Sequence, residues 1–322
     1  MLDVKDTIGT AAREPWANPL PQNHRQSFVM AEPTTLVTHP DGWRSVAPKP
    51  TPEALKAFYA NEYFQGSHGT YAPDYSADER AHRQLVASLL LFAVDKARGD
   101  GGGRWLEVGC GEGWLLAAAK AAGYRVRGLD FSDDGLKRFH PELVADASFG
   151  DAFENLETLI ERGDRFDVVA MEHVLEHVLD PEALLQRLPR VIAPGGVVAI
   201  TVPNDFSPLQ LAARAAALVD RDFWVAPPQH LNYFDARSLP RFLRRMGFDV
   251  RLTYASFPID WFLFHAGSNY VADPAAGKPA HRARLTIDLL LAEQGLAPYL
   301  ALAEALFGCG AGRSLTIIAA PR

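Results

Sequence analysis

The stretch RWLEVGCGEGWLLAAAKAAGYRVRGLD, residues 104–130, decides the fold. Its first five residues form a short, largely apolar run that ends at Gly109, and an Ala- and Leu-rich segment then closes at Gly123. A buried strand, a tight turn and a helix that ends at a glycine have this pattern. A second strand over 124–129 follows and ends in Asp130. The stretch therefore predicts one β-α-β unit.

Three glycines alternate in the turn between the strand and the helix, at Gly109, Gly111 and Gly113. Without Cβ atoms, such a turn lets a ligand approach the backbone closely at the N-terminus of the helix. Asp130, at the tip of the second strand, is placed to accept hydrogen bonds from a ribose diol. The dinucleotide fingerprint requires a small residue where this chain has Trp114. A cofactor with a pyrophosphate is therefore not expected.

The pattern Glu107-Val-Gly-Cys-Gly-Glu-Gly113, followed by Asp130, resembles the first two motifs of class I S-adenosylmethionine-dependent methyltransferases. The resemblance implies that the glycine turn passes under the amino-acid end of the cofactor. It implies that Glu107 supports this turn and the amino group, and that Asp130 binds the ribose hydroxyls. It also implies cofactor contacts near the ends of the neighbouring strands, with Asp151 at the adenine amino group. These further residues are Phe131, Asp151, Ala152 and Glu172.

Length, charge and cysteine content limit the class of protein. With 322 residues, 48% of them hydrophobic, the chain can form one large domain or a domain with a smaller subdomain. A formal charge of −7 without a basic run argues against a nucleic-acid partner. Cys110 and Cys309 are too few for a disulfide framework and favour a reducing compartment. With no visible signal peptide or membrane span, we expect a cytoplasmic protein without a membrane partner.

The alternation of apolar runs and helical segments predicts a parallel sheet with right-handed crossovers. The third, fourth and fifth strands are expected over 143–149, 165–171 and 197–202. In the methyltransferase fold, a sixth strand over 248–254 and a last strand over 314–320 are neighbours, with the last one antiparallel. The predicted fold is thus α/β: a Rossmann-like, doubly wound, seven-stranded sheet with the last strand antiparallel, plus helical insertions that form a lid subdomain.

Four kinds of region are expected along the chain. They are an extended N-terminal arm over 1–52, an N-terminal helical cover over 53–98, a methyltransferase core over 99–204, 235–254 and 313–322, and substrate-covering insertions over 205–234 and 255–312. The arm contains a candidate hairpin around 28–46 with Asp41-Gly42 as its turn. The first insertion is helical by pattern over 205–225.

His230 is the first candidate for a general base. It opens the segment His-Leu-Asn-Tyr-Phe234, which resembles a segment of methyltransferases that act on sugars and related metabolites, some of which use this histidine as a base. A pKa near 6.5 lets a histidine take a proton at neutral pH. The alternative is a structural histidine that caps the following helix. His173 and His177 are the next candidates. Sugar C-methyltransferases of this kind carry a cysteine-rich zinc domain, which is not seen here, so we expect oxygen or nitrogen methylation.

A metal site must be weighed at His173-Val-Leu-Glu176-His177, which matches the inverted zinc-peptidase motif. That motif requires a full amphipathic helix, whereas here a buried strand ends one residue before it and Asp180-Pro181 follows. The same stretch resembles the region of small-molecule methyltransferases that lines the cofactor sulfur and the methyl acceptor. No metal is therefore expected. A zinc-dependent hydrolase that uses these residues stays an alternative, as does a catalytically silent partner subunit that binds the cofactor.

Aromatic residues supply the candidates for acceptor binding. Tyr71 and Tyr75 resemble lid residues, although tyrosines here could equally pack a helix onto the sheet edge. Trp261 and Phe262 follow the sixth strand, where they would either face the acceptor or join the core. The predicted reaction converts S-adenosylmethionine to S-adenosylhomocysteine and methylates a small metabolite. A sugar or nucleotide-sugar is preferred to a phenol or quinone precursor. The second insertion could also form the face of a homodimer.

Overall fold

The structure is a computed structural model that describes residues 35–58 and 74–322. The expectations for Tyr71 and for the first 34 residues of the arm lie outside the described residues. The strands are β1 (Thr35–Thr38), β2 (Arg44–Ala47), β3 (Arg104–Val108), β4 (Arg125–Asp130), β5 (Ala147–Phe149), β6 (Phe166–Glu172), β7 (Ile192–Pro203), β8 (Asn232–Tyr233), β9 (Phe248–Ala255) and β10 (Ser314–Pro321). The helices are α1 (Pro52–Phe58), α2 (Ala77–Arg98), α3 (Trp114–Ala121), α4 (Asp134–Phe139), α5 (Ala152–Glu161), α6 (Pro181–Arg187), α7 (Pro208–Ala215), α8 (Ser238–Arg245), α9 (Gly277–Ala292) and α10 (Leu296–Cys309).

Seven strands form the central sheet in the order β5-β4-β3-β6-β7-β10-β9. The first five of these pair in parallel, whereas β10 runs antiparallel to both β7 and β9. Chain order runs outward from β3 through β4 to β5 and then returns to β6 on the other side. This reversal opens a crevice at the carboxyl ends of β3 and β6, where ligands bind in doubly wound sheets. The predicted seven-stranded sheet with an antiparallel last strand is confirmed.

The strands at the centre of the sheet are buried on both faces. On β3, Leu106 packs into one apolar layer and Trp105 into the opposite layer. On β6, Val169 and Val168 divide in the same way. Parallel strands covered on both sides need apolar residues at nearly every position, because successive side chains point to opposite faces. This requirement explains why the central strands stand out in the sequence as continuous apolar runs.

Two elements differ from the sequence predictions. The third strand was expected over 143–149, but a 3₁₀ turn occupies Pro141–Asp146 and only Ala147–Phe149 pairs with β4. The helix expected over 205–225 is confined to α7, because the chain turns back at Ala217, which has a φ of 53°. That turn lets Val219 pack against Ala213 in a small apolar cluster, which a continued helix would not allow.

A small second sheet, β1-β2-β8, lies beside the main one. Its hairpin turns at the predicted Asp41-Gly42, where Gly42 has a φ of 93° and donates its N–H to the carbonyl of His39. Trp43 follows and is buried in the main core. Through the pairing of Ser45 with Asn232, this sheet holds the segment after His230 close to the core.

The predicted N-terminal cover, residues 53–98, contains α2, and the predicted insertion over 255–312 contains α9 and α10. A capping box at Ser76 and Glu79 starts α2, which ends at Gly99 in a left-handed conformation. α9 and α10 pack against α2, and His82 on α2 lies 2.9 Å from Asp288 on α9. In the part of the chain that the structure describes, no helix has the length and apolar character needed to cross a bilayer.

Candidate active site

The glycine turn lies between β3 and α3, at the crevice of the sheet. Gly109, Gly111 and Gly113 have φ values of 76°, 49° and 84°, in the left-handed region that favours glycine. A Cβ atom at position 109 would lie 2.5 Å from Cγ2 of Val174, and one at position 113 would lie 2.5 Å from Cδ2 of Leu136. A side chain at any of the three positions would strain the backbone, and one at 109 or 113 would also force a neighbouring side chain to move.

Three carboxylates, those of Glu107, Asp130 and Glu172, form an acidic cluster near this turn. Glu107 is only 3% exposed, and its Oε2 has no hydrogen-bond partner among the described residues. Burial raises the pKa of all three groups. For Glu107 the negative charges of Glu172 and Asp130 add to this effect and hold the pKa well above its usual value. Such a cluster is suited to a positively charged ligand.

Asp130 connects the end of β4 to the turn. Its Oδ2 accepts a hydrogen bond from the backbone N–H of Gly111 at 2.7 Å, and its Oδ1 accepts one from the N–H of Ser132 at 3.2 Å. Phe131, the next residue, is partly exposed. Asp151 and Ala152 lie at the start of α5, where Oδ1 of Asp151 caps the helix by accepting two backbone N–H bonds.

His173, Glu176 and His177 follow β6 in turns, and no α-helix is formed there. His173 has a φ of 55°, and its N–H donates to the carbonyl of Thr201 on β7 at 2.9 Å. A left-handed histidine is strained, and such strain is concentrated at functional sites. Nδ1 of His173 lies 3.0 Å from Oε1 of Glu176, while the His173 side chain keeps 49% of its surface exposed.

The backbone of Glu176 holds the segment that begins at His230 next to the turns after β6. Its backbone carbonyl accepts bonds from the N–H groups of Leu231 and Asn232, at 2.8 and 3.1 Å. Nδ1 of His177 lies 2.7 Å from the carbonyl of Gln229, so this nitrogen carries the hydrogen and Nε2 is the basic nitrogen. The rings of His177 and His230 are 5.0 Å apart, edge to face. The structure thus brings all three candidate histidines around Glu176.

The histidines differ in their affinity for a proton. Burial lowers the pKa of His230 to about 4, although the charge of Glu176 opposes this effect. Burial also lowers the pKa of His173, but the hydrogen bond and charge of Glu176 and the charge of Glu172 outweigh it and raise the pKa above its usual value. At neutral pH, His230 is therefore uncharged, whereas His173 holds a proton more strongly than an ordinary histidine does.

Within residues 35–58 and 74–322, one group of side chains could hold a metal ion, namely Glu176, His177 and His230, whose candidate ligand atoms lie within 4.8 Å of one another. Glu176 is 1% exposed, and its Oε2 makes no hydrogen bond within the described ranges. His173, the first histidine of the zinc-peptidase motif, does not belong to this group. The structure therefore groups His177 and His230 with Glu176, whereas the motif in the sequence grouped His173 and His177 with it.

The aromatic candidates lie in different surroundings. Tyr75 is buried, and its hydroxyl donates to Oε1 of Glu112 in the glycine turn at 2.6 Å. Trp261 leaves 49% of its surface exposed on a 3₁₀ turn, and Phe262 is partly buried against Phe257. Tyr75 is therefore joined to the glycine turn, while the other two belong to the second insertion.

An ion pair near the histidines, between the buried Asp205 and the partly buried Arg313, was not identified from the sequence. Arg313 Nη1 lies 3.1 Å from Oδ1 of Asp205, whose Oδ2 has no partner in the described structure. Burial raises the pKa of Asp205 to about 6, although Arg313 opposes this effect. Phe206, the next residue, has a φ of 58°. Asp205 lies just beyond the carboxyl end of β7, and ligands bind at the carboxyl ends of parallel strands. Its position was therefore a sequence signal that could have identified it as a candidate site residue.

Comparison with known proteins finds relatives that match part of this chain. Residues 77–253 match a family model described as a methyltransferase domain. A ubiquinone biosynthesis O-methyltransferase from Aromatoleum aromaticum is 28% identical over 169 residues, which cover 51% of this chain and 72% of that protein. One from Caulobacter sp. is 33% identical over 130 residues, 39% of this chain and 51% of that protein. The chain thus spans about half the length of the Caulobacter relative.

A solved structure gives a further similarity. A SAM-dependent methyltransferase from Archaeoglobus fulgidus is 21% identical, with a TM-score of 0.46. The alignment covers 84% of this chain and 99% of that one.

Proposed function

The chain belongs to the family of methyltransferase domains, and from this membership we propose that it transfers a methyl group from S-adenosylmethionine to an oxygen or nitrogen of a small metabolite. The observation that carries the proposal is the acidic cluster, in which Oε2 of Glu107 is buried and unpaired among the described residues. S-adenosylmethionine carries a positive ammonium and a positive sulfonium. It therefore brings the charge that the buried carboxylates need.

The chemistry of the residues around the glycine turn fits this cofactor. Glu107 and Glu172 offer acceptors for an ammonium group, and Asp130 offers acceptors for ribose hydroxyls. Gly109 and Gly111 place no side chain between the turn and a ligand. When bound, the cofactor supplies a methyl group already activated by a sulfonium. The protein then has to align the acceptor and, where the acceptor is a hydroxyl, remove its proton.

His173 is the base that the geometry favours. With Nδ1 donating to Glu176, Nε2 of the half-exposed ring is free to accept a proton, and the carboxylate stabilises the positive ring that results. His230 was the first choice from the sequence. With a pKa of about 4, its ring holds a proton taken from the acceptor only weakly, and this makes it a weaker base than an ordinary histidine. The roles of both histidines stay predictions.

A hydroxyl-bearing acceptor is the substrate class that we propose. The names of the relatives support O-methylation, and their part in ubiquinone biosynthesis adds weight to a phenolic acceptor. The segment that begins at His230 supports a sugar or nucleotide-sugar. The ion pair of Asp205 and Arg313 suits either class of acceptor, because phenols and sugars both present hydroxyl groups that can donate to a carboxylate.

Formation of S-adenosylhomocysteine with two sets of acceptors, catechols and nucleotide sugars, tests this proposal. Because His173 has a raised pKa, we expect the rate with wild type to rise with pH, through a value above about 6.5, and then to level off. His173→Asn should remove the rise and most of the rate. His230→Asn, the matched control from the same cluster, should keep the rise.

The opposite pattern, with the rise lost only in His230→Asn, would make His230 the base. No transfer to either acceptor set, by protein that binds the cofactor, would instead favour the silent partner subunit. The zinc hydrolase has less support than the sequence suggested, because the motif from His173 to His177 lies in turns and not on a helix. A cytoplasmic location and a homodimer stay predictions.

A further inference from the structure

The glycine turn carries one acidic side chain, that of Glu112, and three donors surround it. Its Oε1 accepts from the hydroxyl of Tyr75 at 2.6 Å, and its Oε2 accepts from Nε1 of Trp114 at 2.7 Å. Nη1 of Arg83 lies 3.2 Å from the same Oε2. With 5% of its surface exposed, Glu112 is a buried carboxylate whose two oxygens are both bonded. Such a fully paired acid fixes local geometry.

The donors come from separate parts of the chain. Tyr75 precedes α2, Arg83 lies in the second turn of α2, and Trp114 is the first residue of α3. The guanidinium of Arg83 also lies 3.9 Å from the centroid of the Tyr75 ring, which adds a cation–π contact. Glu112 therefore joins the start of the helical cover to the turn between β3 and α3.

The turn is also held by its own backbone: the N–H groups of Gly109 and Cys110 donate to the carbonyl of Leu129, and that of Gly113 donates to the carbonyl of Cys110. Gly111 and Gly113, on either side of Glu112, adopt left-handed conformations, and glycine has more conformational freedom than any other residue. The N–H of Gly111 is fixed by Asp130, and the carbonyl of Glu112 lies 2.7 Å from Nδ1 of His140. The side chain of Glu112 adds to these bonds its contacts with Tyr75, just before α2, and with Arg83, on α2.

We propose that Glu112 and Tyr75 are positioning residues for the cofactor: they hold the glycine turn in its binding shape and couple it to the start of the cover. The inference rests on the proposed function, in which this turn binds S-adenosylmethionine. It gives Tyr75 a role at the cofactor in place of the expected role at the acceptor. Loosening the turn lowers the fraction of protein in the binding-competent shape, and the apparent affinity falls by the same factor.

The test is calorimetric binding of S-adenosylhomocysteine to wild type, Tyr75→Phe and Tyr124→Phe. Tyr124 is the matched control, because its hydroxyl also donates to a carboxylate at 2.6 Å, that of Asp95, but at the far end of α2. Each substitution removes one charge-assisted hydrogen bond and should lower the melting temperature similarly. We expect the dissociation constant to rise about tenfold in Tyr75→Phe, or ~1.4 kcal/mol, and to stay unchanged in Tyr124→Phe.

A second variant changes Glu112 itself. Glu112→Gln keeps one oxygen for the hydroxyl of Tyr75 but places an NH2 group against Nε1–H of Trp114 and Nη1 of Arg83, so it loses both of these contacts and its affinity should fall at least as far as that of Tyr75→Phe. Equal affinity in wild type and Tyr75→Phe, or an equal loss in Tyr75→Phe and Tyr124→Phe, would overturn the inference. If folded wild type binds no S-adenosylhomocysteine, the proposed function itself fails.

Discussion

Burial makes the carboxyl groups of Glu107, Asp130 and Glu172 hold protons more strongly than they do in water. A carboxyl group whose pKa is higher in the folded state contributes stability below its unfolded pKa. This contribution is lost as the pH rises through the folded pKa. The free protein should therefore become less stable as these acids ionise. A bound cation favours the ionised form and reverses this effect.

Cofactor binding should accordingly release protons. At about pH 6, above the ordinary pKa range of carboxyl groups, we expect the enthalpy of S-adenosylmethionine binding to vary with the ionisation enthalpy of the buffer, with the sign of proton release. Calorimetry in two buffers of equal pH measures this dependence. Glu107→Gln removes one of the titrating groups and should release fewer protons. An enthalpy independent of the buffer would show that the acidic cluster does not respond to the cofactor.

The sequence allowed candidate site residues to be chosen from short motifs, but it did not indicate which of their side chains carry protons. The glycines and Asp130 could be assigned because their spacing reflects one local turn. The low pKa of His230 depends on burial and on charges from segments far apart in the chain. The contact between Arg313 and Asp205 is also long-range, so no local pattern could indicate it.

At the scale of elements, the two ends of α3 depend on glycine for two separable reasons: Gly109 lies in the turn before the helix, and Gly123 lies just after it. Gly109 and Gly123 both have positive φ values, of 76° and 92°. A Cβ atom at Gly109 would collide with Val174, whereas one at Gly123 would meet no atom within 4 Å. The two positions therefore separate backbone strain from steric collision.

We expect Gly123→Ala to cost about 1 kcal/mol of unfolding free energy from strain alone. Gly109→Ala should cost about 1–3 kcal/mol more, because the neighbouring side chain must move. Denaturant unfolding of both variants measures the difference. Equal losses of stability would mean that the contact with Val174 is not close enough to matter.

Elements buried on both faces were the most predictable. β3, β6 and β7 appear as apolar runs because each strand is covered by helices on both sides. β5 was predicted too long, since it is a three-residue strand that pairs with β4 alone and the preceding residues form a 3₁₀ turn. The stretch over 205–225 has helical residues throughout, but tertiary packing of Val219 and its neighbours ends α7 early.

At the scale of the whole molecule, β9 and β10 meet across the long second insertion, as the methyltransferase fold predicts. The small sheet was only partly predictable. Its hairpin has a local turn signal, but β8 is a two-residue strand held by pairing with β2. That pairing places His230 near Glu176, and a strand so short has no periodicity to detect.

The architecture also separates two groups of titratable residues. Glu107 and Asp130 lie near the glycine turn, whereas the group of Glu176, His177 and His230 lies where the turns after β6 meet the segment before β8. We expect dialysis against EDTA to leave the affinity for S-adenosylhomocysteine unchanged and metal analysis to find no stoichiometric ion. Stoichiometric zinc in purified protein, lost in His177→Ala, would contradict this expectation and restore the hydrolase alternative.

The most direct test of the central claim is calorimetric titration of S-adenosylmethionine into wild type and Asp130→Ala. Asp130 is the acid that fixes Gly111 and is assigned to the ribose. We predict measurable binding to wild type that weakens by about fivefold or more in Asp130→Ala, equal to ~1 kcal/mol or more. No binding by folded wild type would contradict the assignment of the cofactor, and equal binding by Asp130→Ala would contradict its placement at this turn.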